Sequence, residues 1–94
     1  MQTLGGWKFE DFKGIKLAQK AASAFSGAVD GITGAGYIPL LFIGTQVVNG
    51  TNYAFIAMQT LVLAEPRKRI VKLIVNESTD GKYAIVSTTP IIKE

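Results

Sequence analysis

The chain contains no cysteine and no histidine. Disulfides, thiol nucleophiles, most transition-metal sites and the commonest general base are thereby excluded. The carboxylates that remain, Glu10, Asp11, Asp30, Glu65, Glu77, Asp80 and Glu94, are scattered without metal-ligand spacing or an evident acid–base pair. No enzyme, catalytic residue, metal or cofactor is expected from such a set. Long apolar runs are missing too: Tyr53 to Ala64 is the greasiest stretch, Gln59 and Thr60 interrupt it, and it falls short of a membrane span. No membrane partner is expected. No basic segment followed by an apolar one lies near Met1, so localisation stays open: cytoplasmic if the chain is complete, secreted if a signal peptide was removed.

What is present suffices for a core. Of 94 residues 48% are hydrophobic and 18% charged, which points to a single domain over residues 1–94 and away from disorder. The net charge of +3 is mild. Arg67, Lys68, Arg69 and Lys72 sit near Glu65 without interleaved aromatics, which reads as a solvated turn and strand face, with no nucleic-acid partner.

The first six residues are uncharged and end in Gly5-Gly6, a composition suited to an extended arm. Asp11 is a candidate N-cap for a helix over residues 11–28. Phe12, Ile15, Ala18, Ala22, Phe25 and Val29 recur on its apolar side, opposite Lys13, Lys16 and Lys20. Glycines between Gly27 and Gly36 then mark a loop, and the run Gly31 to Gly36 lacks the Lys-Ser/Thr ending of a phosphate cradle. Four strands follow, Tyr37 to Val48, Thr51 to Leu63, Arg69 to Asn76 and Lys82 to Thr89. Asn49-Gly50 predicts a tight hairpin between the first two. Turns are predicted at residues 64–68, with Pro66, and at residues 77–81, with Asp80-Gly81. The expected architecture is α+β: one N-terminal helix packed on a four-stranded antiparallel meander.

The second strand is apolar on both sides, Tyr53, Phe55, Ala57 and Leu61 on one, Ala54, Ile56, Met58 and Val62 on the other. One helix covers only one of them. The excess points to self-association, to a protein partner, or to packing by long loops.

Gln46-Val47-Val48-Asn49-Gly50-Thr51-Asn52-Tyr53 resembles the first hairpin loop of the cystatins, inhibitors of papain-like cysteine peptidases, whose hallmark is Gln-x-Val-x-Gly between two strands. Thr-Asn-Tyr is especially similar to the stefin branch. Leu4-Gly5-Gly6 resembles the apolar residue and glycine of the family's N-terminal arm. The resemblance implies a cystatin-like fold and a reversible, non-covalent inhibitor. Its arm, first hairpin loop and last hairpin loop, here Ser78, Thr79 and Asp80, would line up as a wedge that plugs the peptidase cleft. Leu4 would enter an apolar substrate pocket, Gly5 would let the arm bend, and Gly50 would present Val48 and the neighbouring backbone. It also implies a capacity to form domain-swapped homodimers.

The last loop departs from many cystatins in lacking a Pro-Trp pair, as stefins do; the only tryptophan is Trp7. Asn49-Gly50-Thr51 and Asn76-Glu77-Ser78 are also glycosylation sequons, and sugar on either tip would obstruct the wedge. Bland readings stand beside these. Gln46 to Gly50 reads equally as a plain hairpin turn, Leu4 as a staple on the sheet, and Trp7 as a core or edge residue. The alternative function is a non-inhibitory interaction or assembly module that uses the apolar outer sheet.

Overall fold

The computed structural model describes residues 6–9 and 15–93. In chain order the elements are β1 (Trp7–Phe9), α1 (Ile15–Val29), β2 (Ala35–Val48), β3 (Gly50–Leu61), β4 (Arg67–Glu77) and β5 (Tyr83–Lys93). All strands join one sheet in the order β1-β2-β3-β4-β5, every neighbouring pair antiparallel, and α1 packs on one face of it. The class is α+β, and the sheet has five strands rather than the four expected.

The additional strand is β1, three exposed residues paired with Gln46, Thr45 and Gly44 of β2. With none of its side chains buried it has no alternation of apolar and polar positions for a sequence to display. Strand ends also differ from expectation. β2 begins at Ala35 because Ala35 and Gly36 pair with Leu61 and Thr60, and the Val62 N–H closes the end on the Gly34 carbonyl at 2.9 Å. β5 continues past Thr89 to Lys93, carrying Pro90 within it. An edge strand tolerates proline, whose missing N–H faces away from the ladder. The helix continues to Val29, so Gly27 is helical and not part of the loop; Asp11 and Phe12 lie outside the described residues.

Small residues on α1 set the closeness of the two layers. Ala21, Ala24, Phe25 and Ala28 are buried against Tyr53, Phe55 and Ala57 of β3 and Val71, Leu73 and Val75 of β4. Ala22, expected inside, is exposed, because the buried stripe runs through Ala21 and Ala24 instead. Phe25 meets Phe55 edge-on at 5.0 Å between ring centroids, and Phe42 of β2 lies 5.6 Å from Phe55 and 6.3 Å from Tyr53. Such pairs add about 0.5–1.5 kcal/mol each beyond their buried area. Register shifts around Leu40 and Ile43 in β2, and around Val86 and Ile91 in β5, bend these two strands where they flank the helix.

The face away from α1 carries an apolar patch, with Lys72 and Thr89 in the adjoining row and Gln46, Asn52 and Asn76 nearer the loops. Ile38, Met58, Ile70 and Ile92 are successive cross-strand partners on β2, β3, β4 and β5, and Leu41 pairs with Ile56 alongside them. Ile38 and Ile92 remain more than half exposed. Val62, expected on this face of the second strand, falls beyond the end of β3.

Candidate functional site

Hydrogen-bond register decides which segments share an end of the sheet. The β2–β3 ladder runs out to Val48 opposite Gly50, leaving Asn49 alone and exposed at the tip. Gly50 has φ +98°, a conformation that L side chains avoid, and a Cβ built on it would stand 2.2 Å from the Glu77 carbonyl oxygen. Glycine is therefore required twice, once by the turn and once by the neighbouring strand. Thr51 pairs with Glu77, so the β4–β5 loop begins directly beside the first tip. β1 runs antiparallel to β2 with Trp7 opposite Gln46, which puts Gly6 at the same end. Neighbouring strands lie about 4.8 Å apart, so the two tips stand roughly 10 Å from each other and the whole end spans about 20 Å.

Of the residues expected to contact a peptidase, Gly6, Val47, Val48, Asn49, Gly50, Ser78, Thr79 and Asp80 come together at this end. Leu4 and Gly5 lie outside the described residues. Gln46 is not at the tip. It sits within β2, where its Oε1 accepts from Asn52 Nδ2 at 3.0 Å, and Asn52 Oδ1 in turn accepts from Asn76 Nδ2 at 2.9 Å. This amide ladder ties β2, β3 and β4 together just beneath the loops. Its row continues to Trp7 on one side and Ala84 on the other, so Trp7 is an edge residue.

The last loop is held by its own polar groups. The Ser78 N–H donates to the Lys82 carbonyl at 2.8 Å, and the Gly81 N–H to the Ser78 carbonyl at 3.0 Å. Ser78 Oγ accepts from the Lys82 N–H at 3.1 Å and donates to the Asp80 carboxylate. That hydroxyl is the main reason the Asp80 carboxyl is held below its ordinary value. The Lys82–Asp80 ion pair, 3.7 Å long and exposed at both partners, adds little.

On the helix-covered face under the same loops, Glu77 accepts from two tyrosines, Tyr53 Oη at 3.1 Å and Tyr83 Oη at 3.2 Å. Burial first, then the Glu77 carboxylate, push the Tyr53 hydroxyl up to about 12. The Tyr83 hydroxyl is raised too, mainly by its bond to Glu77. Gln19, Lys20 and Ser23 of α1 border a 520 Å³ groove against Glu77 and Tyr83. A second groove of 430 Å³, between α1 and β2, is lined by Phe25, Val29, Tyr37, Pro39 and Phe42. At the opposite end of the sheet the buried Gln59 is satisfied by Tyr37 and Arg69.

The sequence alone missed Asn52, Asn76, Glu77, Tyr53 and Tyr83 as supports of the tips. Their spacing carries no local motif; only the register brings them into rows. Among the described residues no cluster of three or more His, Cys, Asp or Glu is placed to hold a metal, and no described helix is long and apolar enough to cross a membrane. The site offers exposed backbone and small side chains on stiff supports, an arrangement suited to filling a cleft by shape. No protein-family model, curated protein or solved structure matches this chain.

Proposed function

We propose that the chain is a reversible, non-covalent inhibitor of papain-like cysteine peptidases, with a cystatin-like fold. The observation that carries this reading is the convergence of three separate segments, the end of the N-terminal arm at Gly6, the tip at Val47 to Gly50 and the loop at Ser78 to Asp80, on one end of the sheet. Val47 to Gly50 of the Gln-Val-Val-Asn-Gly match lie on that end, with Gln46 in the ladder beneath it, and a helix followed by a four-strand meander is the order of elements the resemblance implies.

Inhibition on this reading is occlusion. A row about 20 Å wide enters the cleft, and the catalytic thiolate is offered no peptide bond in attacking geometry. Tips braced by the amide ladder and by Glu77 lose little freedom on binding, which favours affinity. A few contacts, at Val48 and at the arm, would carry most of the binding energy. Titration against papain under reducing conditions tests this: stoichiometric loss of activity, recovered on dilution, is expected. Full papain activity at a large molar excess refutes it.

A second reading has its own support. The Ile38–Met58–Ile70–Ile92 row lies on a face that in antiparallel sheets normally turns polar, which favours an assembly module in which a second copy covers it. Sedimentation of the wild type against Met58→Lys separates the two. A concentration-dependent dimer lost in the variant, with no effect of the wild type on papain, selects assembly.

A further inference from the structure

Three asparagines occur in the chain, Asn49, Asn52 and Asn76, and the fold treats them differently. The side-chain amides of Asn52 and Asn76 are engaged in the ladder described above, and each is followed by a residue with a bulky side chain, Tyr53 and Glu77. Asn49 is exposed at the tip, has no side-chain partner among the described residues, and is followed by Gly50. Without a Cβ, Gly50 puts nothing in the way of a ring closed between its own backbone nitrogen and the Asn49 side chain.

We propose that Asn49 is a self-modifying site: its side-chain amide is converted to a carboxylate through a cyclic imide formed with the Gly50 backbone nitrogen. The Gly50 nitrogen attacks Asn49 Cγ and gives its proton to solvent base. The Cγ–Nδ2 bond breaks, and ammonia leaves. Water then opens the five-membered ring at one of its two carbonyls. Opening at Cγ gives aspartate; opening at the main-chain carbonyl gives isoaspartate, in which the backbone passes through the former side chain. Atoms balance with water as the only co-reactant, and no oxidation state changes.

Two Asp-Gly steps, Asp30-Gly31 and Asp80-Gly81, provide an internal comparison. The same ring closure there has to start from a carboxyl group, a poorer electrophile toward an amide nitrogen than the Asn49 side-chain amide. Asp80 is further restrained by Ser78 and Lys82. Asn49 therefore converts first.

The consequence at the tip is large for so small a change. Either product adds a negative charge beside the end of β4, and isoaspartate inserts one more backbone carbon into a connection that has a single residue between paired strands. Gly50 is already pressed on the Glu77 carbonyl, so the lengthened tip cannot keep Val48 opposite Gly50. Where the inhibitor reading holds, the reaction is a one-way loss of the first loop from the wedge; this clause rests on that reading, whereas the chemistry does not.

The experiment holds the folded full chain for days in warm, mildly alkaline buffer, then separates charge variants and maps peptides by mass, with an isoaspartate-specific methyl-transfer assay. The expected result is an acidic species whose added mass and isoaspartate lie at residue 49, with Asn52 and Asn76 intact and no such species in Asn49→Gln. Conversion in urea but not in the folded chain would overturn the proposal, since the turn would then protect Asn49. Equal conversion at residues 52 and 76 would overturn it as well. Papain titration of the separated fractions reads the consequence independently: a parent that never inhibits removes the inhibitor reading while leaving the mass result to decide the chemistry.

Discussion

Replacing Gly44 by alanine separates strand β1 from the rest of the fold. An added Cβ would stand 2.1 Å from the Lys8 carbonyl oxygen and 3.1 Å from the Phe9 Cα, so the backbone of β1 has to retreat by roughly 1 Å. Backbone cannot rotate away as a side-chain tip does, and overpacking of this kind costs about 1–3 kcal/mol. Against that stand about three ladder hydrogen bonds, each contributing a net ~1 kcal/mol. Ordering three residues costs about 1–2 kcal/mol apiece, which nearly cancels those bonds. The margin left to β1 is the partial burial of Trp7, and the clash exceeds it. No residue of β1 belongs to the buried core, so Gly44→Ala should lose β1 and keep the helix and the other four strands. Trp7 is the only tryptophan, and its emission reports on β1 alone. A shift to longer wavelength, faster amide exchange at Lys8 and Phe9, unchanged helical circular dichroism and a melting point lower by only a few degrees are expected. Unchanged emission and protection would refute the steric argument, and loss of the helical signal would refute the independence of β1.

Alkaline pH should weaken the fold through Tyr53: its folded value of about 12 lies above the ordinary 10.0, so its contribution to stability is intact below pH 10 and is lost as pH rises from 10 through 12. Denaturation at successive pH values should show this slope in the wild type and a shallower one in Tyr53→Phe. Gly27→Ala combines a helix-propensity gain of about 1 kcal/mol with a Cβ 2.5 Å from the Tyr83 ring, near the ring's root, and should be net destabilising; a higher urea midpoint would show the ring yields freely. On the inhibitor reading, removing residues 1–5 should speed dissociation from papain without changing the melting point, and equal off-rates by kinetic titration would deny the arm a role. Mild heating or high concentration should open the Val48–Gly50 turn into a domain-swapped dimer, which on the inhibitor reading would not inhibit; a dimer with full activity per chain, resolved by size exclusion, would point instead to association through the outer face.

Local chemistry made much of this molecule legible. Asn49-Gly50 and Asp80-Gly81 do mark the ends of strand pairs, and both glycines have positive φ, +98° and +84°. The alternation of Tyr53, Phe55 and Ala57 gave the buried side of β3. What escaped was everything set by pairing across the sheet. β1 exists because β2 offers an edge at residues 44–46, and three exposed residues announce nothing by themselves. Pro90 reads as a strand end in isolation, yet an edge position accommodates it. Gln46 belongs to a loop motif in one dimension and to a three-strand amide ladder in two.

That difference bears on how the tips work. Gln46, Asn52 and Asn76 each come from a different strand, and Glu77 joins Tyr53 to Tyr83 on the opposite face, so the sheet is cross-braced on both sides immediately below the loops. Gly50 then lies against the Glu77 carbonyl, linking the first tip to the strand that carries the second. The loops are short, and the bracing leaves them little independent motion. On the proposed inhibitor reading, a wedge built this way would gain affinity by arriving ordered, since each side chain frozen on binding costs about 0.5–1.5 kcal/mol. The same rigidity makes the tip intolerant of an added atom. A methylene inserted at Asn49 or a Cβ added at Gly50 cannot be absorbed locally, and the strain passes through Glu77 to both hairpins. On the proposed reading, recognition and vulnerability would thus come from one contact, the approach of Gly50 to β4.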